Sequence, residues 1–302
     1  MNAYRMSGRD LALIFLVCLA WAGNFLAGAR GMQHFSPFVF MAGRFVILLL
    51  LLAPFLRLPP PGQWPRLLAV CLFMGALHFT FLFIALGRSE DVSSIAIVQQ
   101  TYIPMAVVLA VVLLGERTGW LTLVATALAF IGVLIIGFDP MVLNQLDVLF
   151  ITLVSALFQA LGSIYQRGIK GVGVLSYQAW TAVIALPVMI IGSLLTEQNQ
   201  LEMIRSAEWA DWATILYSAL IASIVGHGIF FWLIQRHPVT AVMPYLQINP
   251  LLTVLLGVLL WGDRPGWRLF AGGAAIIMGI LIITLRARKK TMIVLPLDED
   301  SG

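Results

Sequence analysis

Leu113-Leu114-Gly115-Glu116-Arg117-Thr118-Gly119-Trp120 returns 147 residues later as Leu260-Trp261-Gly262-Asp263-Arg264-Pro265-Gly266-Trp267. The same shift carries Val92 onto Val239, Gln100 onto Gln247, Gly132 onto Gly279 and Leu134-Ile135-Ile136 onto Leu281-Ile282-Ile283. An acid, an arginine, two glycines and a tryptophan recurring in register mark an internal repeat, which the apolar matches alone would not. Further upstream the register becomes 137, with Asp10 falling on Asp147.

Outward from this motif the chain resolves into ten apolar runs: Leu11–Gly28, Phe38–Leu56, Leu67–Leu86, Val92–Leu114, Leu121–Phe138, Val148–Tyr165, Val174–Leu195, Trp212–Leu233, Val239–Leu260 and Leu269–Leu285. Each approaches the about 20 residues that a membrane-spanning helix needs, and none alternates as a barrel strand would. The composition agrees: 302 residues, 61% hydrophobic, 11% charged, mean hydropathy +0.97. That excludes a water-soluble enzyme and a nucleic-acid binder, despite a net charge of +4. The first run is longer than the about 7–15 apolar residues of a signal peptide, and we read it as a span. Cys18 and Cys71 lie inside apolar runs, where they suggest neither a ligand pair nor a disulfide framework.

The expected fold is therefore an all-α membrane protein of ten transmembrane helices. Residues 1–10 form an N-terminal segment, 11–138 a first five-helix repeat, 147–286 a second, and 287–302 a tail. Five is odd, so the second repeat enters the bilayer from the other side and is inverted. Inverted repeats with a site at their interface recur among secondary transporters. With both termini cytoplasmic, twelve Lys and Arg fall on the inside and five on the outside, while Arg44 sits within a span. Positive charge collects on the cytoplasmic side, so this orientation is expected, with an inner (plasma) membrane location.

Trp21-Ala22-Gly23-Asn24-Phe25 in the first span, Ser36-Pro37 followed by Arg44 in the second, and Pro104 before Leu114-Gly115-Glu116-Arg117 together resemble the drug/metabolite transporter superfamily. The likeness is to its EamA-type, two-repeat members, and within them to bacterial exporters of aromatic amino acids. Pro250 with Gly262-Asp263-Arg264 is the second copy. It departs from the family pattern only in Trp-Gly-Asp-Arg for Leu-Gly-Glu-Arg, a conservative change. The resemblance spans about residues 10–286 and implies export by alternating access.

Polar side chains at bilayer depth are costly and usually face the bundle interior. Trp21 and Asn24 share a face of the first span. His78 and Phe79 lie in the third, Gln99 and Gln100 in the fourth, Gln159 in the sixth, His227 in the eighth, and Tyr245 and Gln247 in the ninth. These ten are the candidate substrate-binding residues. Two roles stay open for Gln99, Gln100, Tyr245 and Gln247: lining a path, or satisfying carbonyls freed by Pro104 and Pro250. Glycines on either side of His227 suggest a close approach of backbone to ligand. Arg44, Pro104 and Pro250 are assigned to gating or structure; Arg44 either snorkels outward, the simplest expectation, or holds a carboxylate or helix-end carbonyls during gating. Ser163, Thr80 and Gln178 read as interhelical hydrogen bonds, and Ala271, Ala275 and Gly279 as a small-residue stripe inside the bundle.

All fourteen acids lie outside the predicted spans or at their ends. Two energy schemes follow, facilitated diffusion or weak proton coupling through His78 or His227. The expected partners are a small-molecule substrate and the lipid bilayer, with no nucleic acid, no cofactor, no metal, and a functional monomer. Amino acids, aromatic ones included, lead as cargo. Drugs, purines or other metabolites with proton coupling are the alternative, and an intramembrane enzyme a remote one.

Overall fold

The computed structural model describes residues 6–115, 119–139, 142, 144–166, 168–236, 242, 245–246 and 248–294. Among them the regular backbone is entirely helical. The ten apolar helices are α1 (Gly8–Gly31), α2 (Pro37–Leu52), α3 (Trp64–Arg88), α4 in two pieces (Val92–Gln99 and Tyr102–Leu114), α5 (Trp120–Gly137), α6 (Leu146–Gln166), α7 (Val174–Thr196), α8 (Trp209–Arg236), α9 (Ile248–Trp261) and α10 (Trp267–Val294). A short helix, Gln200–Ser206, interrupts the loop between α7 and α8. Eight helices are long and apolar enough to cross a bilayer, and α5 and the described part of α9 are shorter. Bulky apolar side chains such as Leu50, Leu194, Leu195 and Leu260 point outward from the bundle.

Capping groups carry some helices past their apolar stretches, as at α1, which starts three residues earlier. Ser7 and Asp10 form a capping box at the start of α1, with Asp10 N–H donating to Ser7 Oγ at 3.2 Å and Ser7 N–H to Asp10 Oδ2 at 3.1 Å. Pro37 occupies the first turn of α2, where its missing N–H costs nothing. The next two amides, Phe38 and Val39, donate to the Glu197 carboxylate at 2.8 and 3.3 Å, so α2 is capped by the end of α7. At the other end of the same pair, Ser176 Oγ and the Trp180 indole donate to the Arg57 carbonyl at 3.2 and 2.8 Å. Trp180 is thus a clasp between α2 and α7.

The packing repeats under exchange of the two five-helix halves. The α5–α10 and α2–α7 pairs are each in contact and each map onto themselves. The α1–α8 contact maps onto α6–α3, and α1–α9 onto α6–α4, and all four are present. The α5–α10 contact shows the duplication atom by atom. A Cβ on Gly132 would stand 2.5 Å from the Gly272 carbonyl oxygen, and one on Gly279 would stand 2.5 Å from the Ala125 oxygen. The 147-residue shift converts one contact into the other. Of the expected small-residue stripe, Gly279 lies inside the bundle, Ala275 is half-buried and Ala271 faces outward; the buried face runs instead through Gly272, Ile276 and Gly279.

Three features depart from regular helix. Alpha-helical turns widen to π geometry over Cys71–Leu77 in α3 and Tyr217–His227 in α8, which are equivalent helices of the two halves. A further widened turn, Gly257–Trp261, closes α9. In α4 the helix breaks at Gln100–Thr101, ahead of Pro104. The Gln100 carbonyl, which Pro104 cannot bond, accepts instead from Ile103 N–H at 3.2 Å, and Thr101 Oγ1 donates to Val98 O at 2.7 Å. The freed backbone is satisfied locally, without the glutamine side chains.

The repeated motif explains itself at its second copy. Gly262 adopts φ +84°, as Gly115 adopts +65°, each ending its helix in the left-handed conformation that favours glycine. The reversal sends Asp263 into the start of α4, where it accepts from Ser93 N–H at 2.9 Å and from the Ser93 hydroxyl. Asp91, the N-cap of α4, accepts from Ser93 and Ser94 N–H at 2.9 and 3.1 Å. Two buried carboxylates from opposite halves thus share one helix start, and Arg88 pairs loosely with Asp147 nearby at 3.6 Å. Burial pushes the Asp91 carboxyl from 3.8 up to about 6; the neighbouring Asp263 pushes the same way, and the Ser94 donors oppose. The corresponding Glu116 lies outside the described residues.

Two predictions follow from these contacts. Leucine at Gly132 should break the α5–α10 seam and cost about 1–3 kcal/mol or more, read as a lower Tm in detergent; an unchanged Tm would refute the close approach. Because the Asp91 pKa is raised on folding, protonation favours the folded contact, which strengthens as pH falls through about 6 and gains little more below the unfolded value. Wild type should therefore gain more Tm than Asp91→Asn between about pH 7 and about pH 5. Equal shifts would show that Asp91 titrates normally.

Candidate functional site

A cavity of about 210 Å³ opens between the halves, far beyond the about 10–15 Å³ that one water needs. Each half supplies part of its wall. Trp21 comes from α1, Arg44, Phe45 and Leu48 from α2, Met74, Gly75, His78 and Phe79 from α3, and Tyr102 from α4. The other half gives Gln159, Ser163 and Gln166 from α6, Tyr177, Gln178 and Thr181 from α7, Ser223, His227 and Phe230 from α8, and Leu246 at the start of α9. The lining reaches the end of α6 and the start of α7. At the opposite face, Asp263 ties α9 to α4.

The two histidines occupy matching places, each where a widened turn ends. Ser155 Oγ donates its proton to the His78 carbonyl at 2.9 Å, so at 2.8 Å it can only accept from His78 Nδ1. His227 Nδ1 lies 2.9 Å from the Ala222 carbonyl, which also can only accept. Both rings are therefore held as the Nδ1–H tautomer, assigned from the hydrogen-bond network, and each keeps Nε2 as an acceptor. The Trp21 indole donates to the same Ala222 carbonyl at 3.3 Å and lies against His227 with ring centroids 5.0 Å apart. The glycine before His227 serves this tryptophan, since a Cβ on Gly226 would stand 2.8 Å from Trp21 Nε1, whereas Gly228 faces open space.

Arg44 does not snorkel. It is 2% exposed, and its guanidinium lies 4.1 Å from the Phe79 ring centre. Its Nε donates to Ser223 Oγ at 3.2 Å, and Ser223 in turn donates to Ser218 O at 2.7 Å inside the widened turn of α8. Nη1 is buried without a hydrogen-bond partner. No Asp or Glu is among the described lining residues.

Of the candidates read from sequence, Trp21, His78, Phe79, Gln159 and His227 meet at this cavity, and Arg44 joins them. Gln99 stands behind the wall, its Nε2 donating to Gln159 Oε1 at 2.8 Å. Asn24 is buried away from the lining, and its Oδ1 has no partner. Gln100 at the break of α4, Pro104 and Pro250 are not lining residues, and Tyr245 faces outward at 37% exposure. Gln247 lies outside the described residues. Gln178 and Ser163, read as structural bonds, line the cavity, and both side-chain polar atoms of Gln178 lack partners. Ser223 and Thr181 escaped notice. The signal for Ser223 was its spacing of five from Ser218, which fits a π turn and no α-helical pattern.

Comparison with known proteins agrees with this architecture. The EamA-like transporter family model matches the chain twice, over residues 9–138 and 146–285. A "Probable amino-acid metabolite efflux pump" of Escherichia coli K12 is 29% identical over 295 residues, covering 94% of this chain and 98% of that protein. An "Uncharacterized inner membrane transporter" of the same organism is 23% identical over 283 residues, covering 90% and 89%. A solved crystal structure at 18% identity superposes with a TM-score of 0.63 over 94% of this chain and 99% of the other, which supports the fold. With most of its length accounted for by two matches to one family, this multi-pass membrane protein belongs to the EamA-like transporter family.

Proposed function

We propose that the protein exports amino acids and related amphipathic metabolites across the inner membrane, by alternating access through the cavity between its halves. The observation that carries this reading is the cavity itself. It is built from equivalent helices of both halves, ringed by aromatic faces and supplied with amides, hydroxyls and two imidazole acceptors. That is the equipment for holding a small molecule with a polar end and an apolar body. A relative that covers nearly the whole chain is named a probable amino-acid metabolite efflux pump. The Lys and Arg distribution puts both termini in the cytoplasm, so the cavity reaches toward the cytoplasm while the Asp91–Asp263 contact closes the other face. The working unit is the monomer. Transport is facilitated diffusion, because no carboxylate lines the described cavity to carry a proton.

In proteoliposomes loaded with radiolabelled L-phenylalanine, efflux should follow the substrate gradient alone, without uphill movement when a pH gradient is imposed. Trp21→Ala and His227→Ala should each lower the rate at least about tenfold, the scale of a lost buried hydrogen bond and ring contact, with the protein still folded. Tyr245→Ala, outside the cavity, should stay near wild type. Normal rates in both cavity variants would refute the site.

Orientation has its own check. An alkaline phosphatase fusion, active only in the periplasm, should be inactive after Gly302 and active in the loop after Gln33. The reverse pattern would overturn the assignment.

A further inference from the structure

We infer that Arg44 is the anion anchor of the cavity, so that the transported species must carry a carboxylate, and that the amino group is an accessory. The inference deepens the export reading and rests on its cavity.

The argument starts from the cost of Arg44 where it is. An ionised side chain removed from water and left without an opposite charge is strongly unfavourable, and inside a membrane such residues pair with one another or mark a ligand path. The guanidinium is 2% exposed and lines the cavity. Among the described residues its partners are one hydroxyl, Ser223 Oγ at 3.2 Å, the face of Phe79 at 4.1 Å and, farther off, that of Phe45 at 5.9 Å. Nη1 has none, and no carboxylate is among the described lining residues. The charge is therefore pre-positioned without a carboxylate among the described residues, its Nε held by Ser223 and its buried Nη1 lacking the acceptor that a carboxylate would supply. Stacking on Phe79 holds the guanidinium plane, leaving its edge for the ligand.

The histidines of the cavity offer a different chemistry. His78 and His227 each keep Nε2 as a neutral acceptor, which can take N–H or O–H donors. An ammonium group would find acceptors there and no counter-charge, so its recognition is a hydrogen bond, where that of the carboxylate is a full ion pair. Charged hydrogen bonds are the stronger kind. Trp21, Phe45 and Phe230 line the same cavity and suit a ring or other apolar body. The class assigned is thus an apolar monocarboxylate, with or without an amine.

Three probes of one shape separate the terms. In binding to the purified full-length protein, by thermal shift and by competition with radiolabelled L-phenylalanine, L-phenylalanine and 3-phenylpropanoate should both bind. 2-Phenylethylamine, which lacks the carboxylate, should bind at least tenfold more weakly than either. Arg44→Gln should lower carboxylate binding at least tenfold and erase the preference over the amine, while Arg44→Lys, which keeps the charge, should restore part of it. Should Arg44→Gln fail to yield folded protein, the Lys variant and the wild-type probe series decide the matter. Amine binding equal to carboxylate binding in the wild type, or an unchanged carboxylate preference in Arg44→Gln, overturns the anchor. If 3-phenylpropanoate binds through Arg44 but no amino acid is transported, the anchor stands and the amino-acid export reading fails.

Discussion

A bilayer offers no water to main-chain polar groups, so every N–H and C=O crossing it must be bonded within the protein. The structure is organised by that requirement and by where it is relaxed. The break in α4 and the widened turns of α3 and α8 sit on helices that wall the cavity. At the break, the lost α-helical bond is replaced by a tighter one to Gln100 O and a threonine hydroxyl. In α8 the widened turn leaves the Ala222 carbonyl open to side chains, and His227 and Trp21 both take it. The relaxed backbone thus becomes the instrument that orients two of the cavity's aromatic groups.

Duplication supplies most of these devices in pairs. Gly132 against Gly272 has its counterpart in Gly279 against Ala125. The widened turn and histidine of α3 have theirs in α8. The informative exception is Arg44. In the 137-residue register of the early helices its equivalent is Thr181, which also lines the cavity. One half therefore presents a charge where the other presents a hydroxyl.

The helices were legible in the sequence because membrane insertion demands long apolar runs, and the repeat was legible because Gly262 and Asp263 have duties that few residues can perform. A left-handed turn needs the glycine, and the Ser93 amide and hydroxyl at the start of α4 need an acceptor from the other half. The cavity was harder to read. Trp21, His78, Phe79, Gln159 and His227 stood out as polar or aromatic residues in apolar surroundings, but so did Asn24, Gln100 and Tyr245, and nothing in one sequence states which way a side chain faces. The pairing of His78 with His227 was hidden for a physical reason. They are 149 residues apart, two more than the motif's register, and the widened turns differ in extent between α3 and α8. Arg44 was misjudged because snorkelling depends on distance to the interface along a helix, whereas Phe79 and Ser223, on other helices, hold it inside.

Why the chain keeps a lone cation there, instead of pairing it with a resident acid, follows from what a carrier must do. A permanent carboxylate partner would satisfy Arg44 in every state and leave the ligand nothing to compensate. A hydroxyl satisfies one nitrogen and leaves the charge. That hydroxyl, Ser223, passes its own proton to Ser218 O within the widened turn of α8, so a guanidinium on α2 and the irregular backbone of α8 form one hydrogen-bonded chain. On the proposed reading, a ligand that draws the guanidinium toward itself would act on this chain, and through it on the helix that also carries His227, which would link charge recognition on one half to the shape of the other.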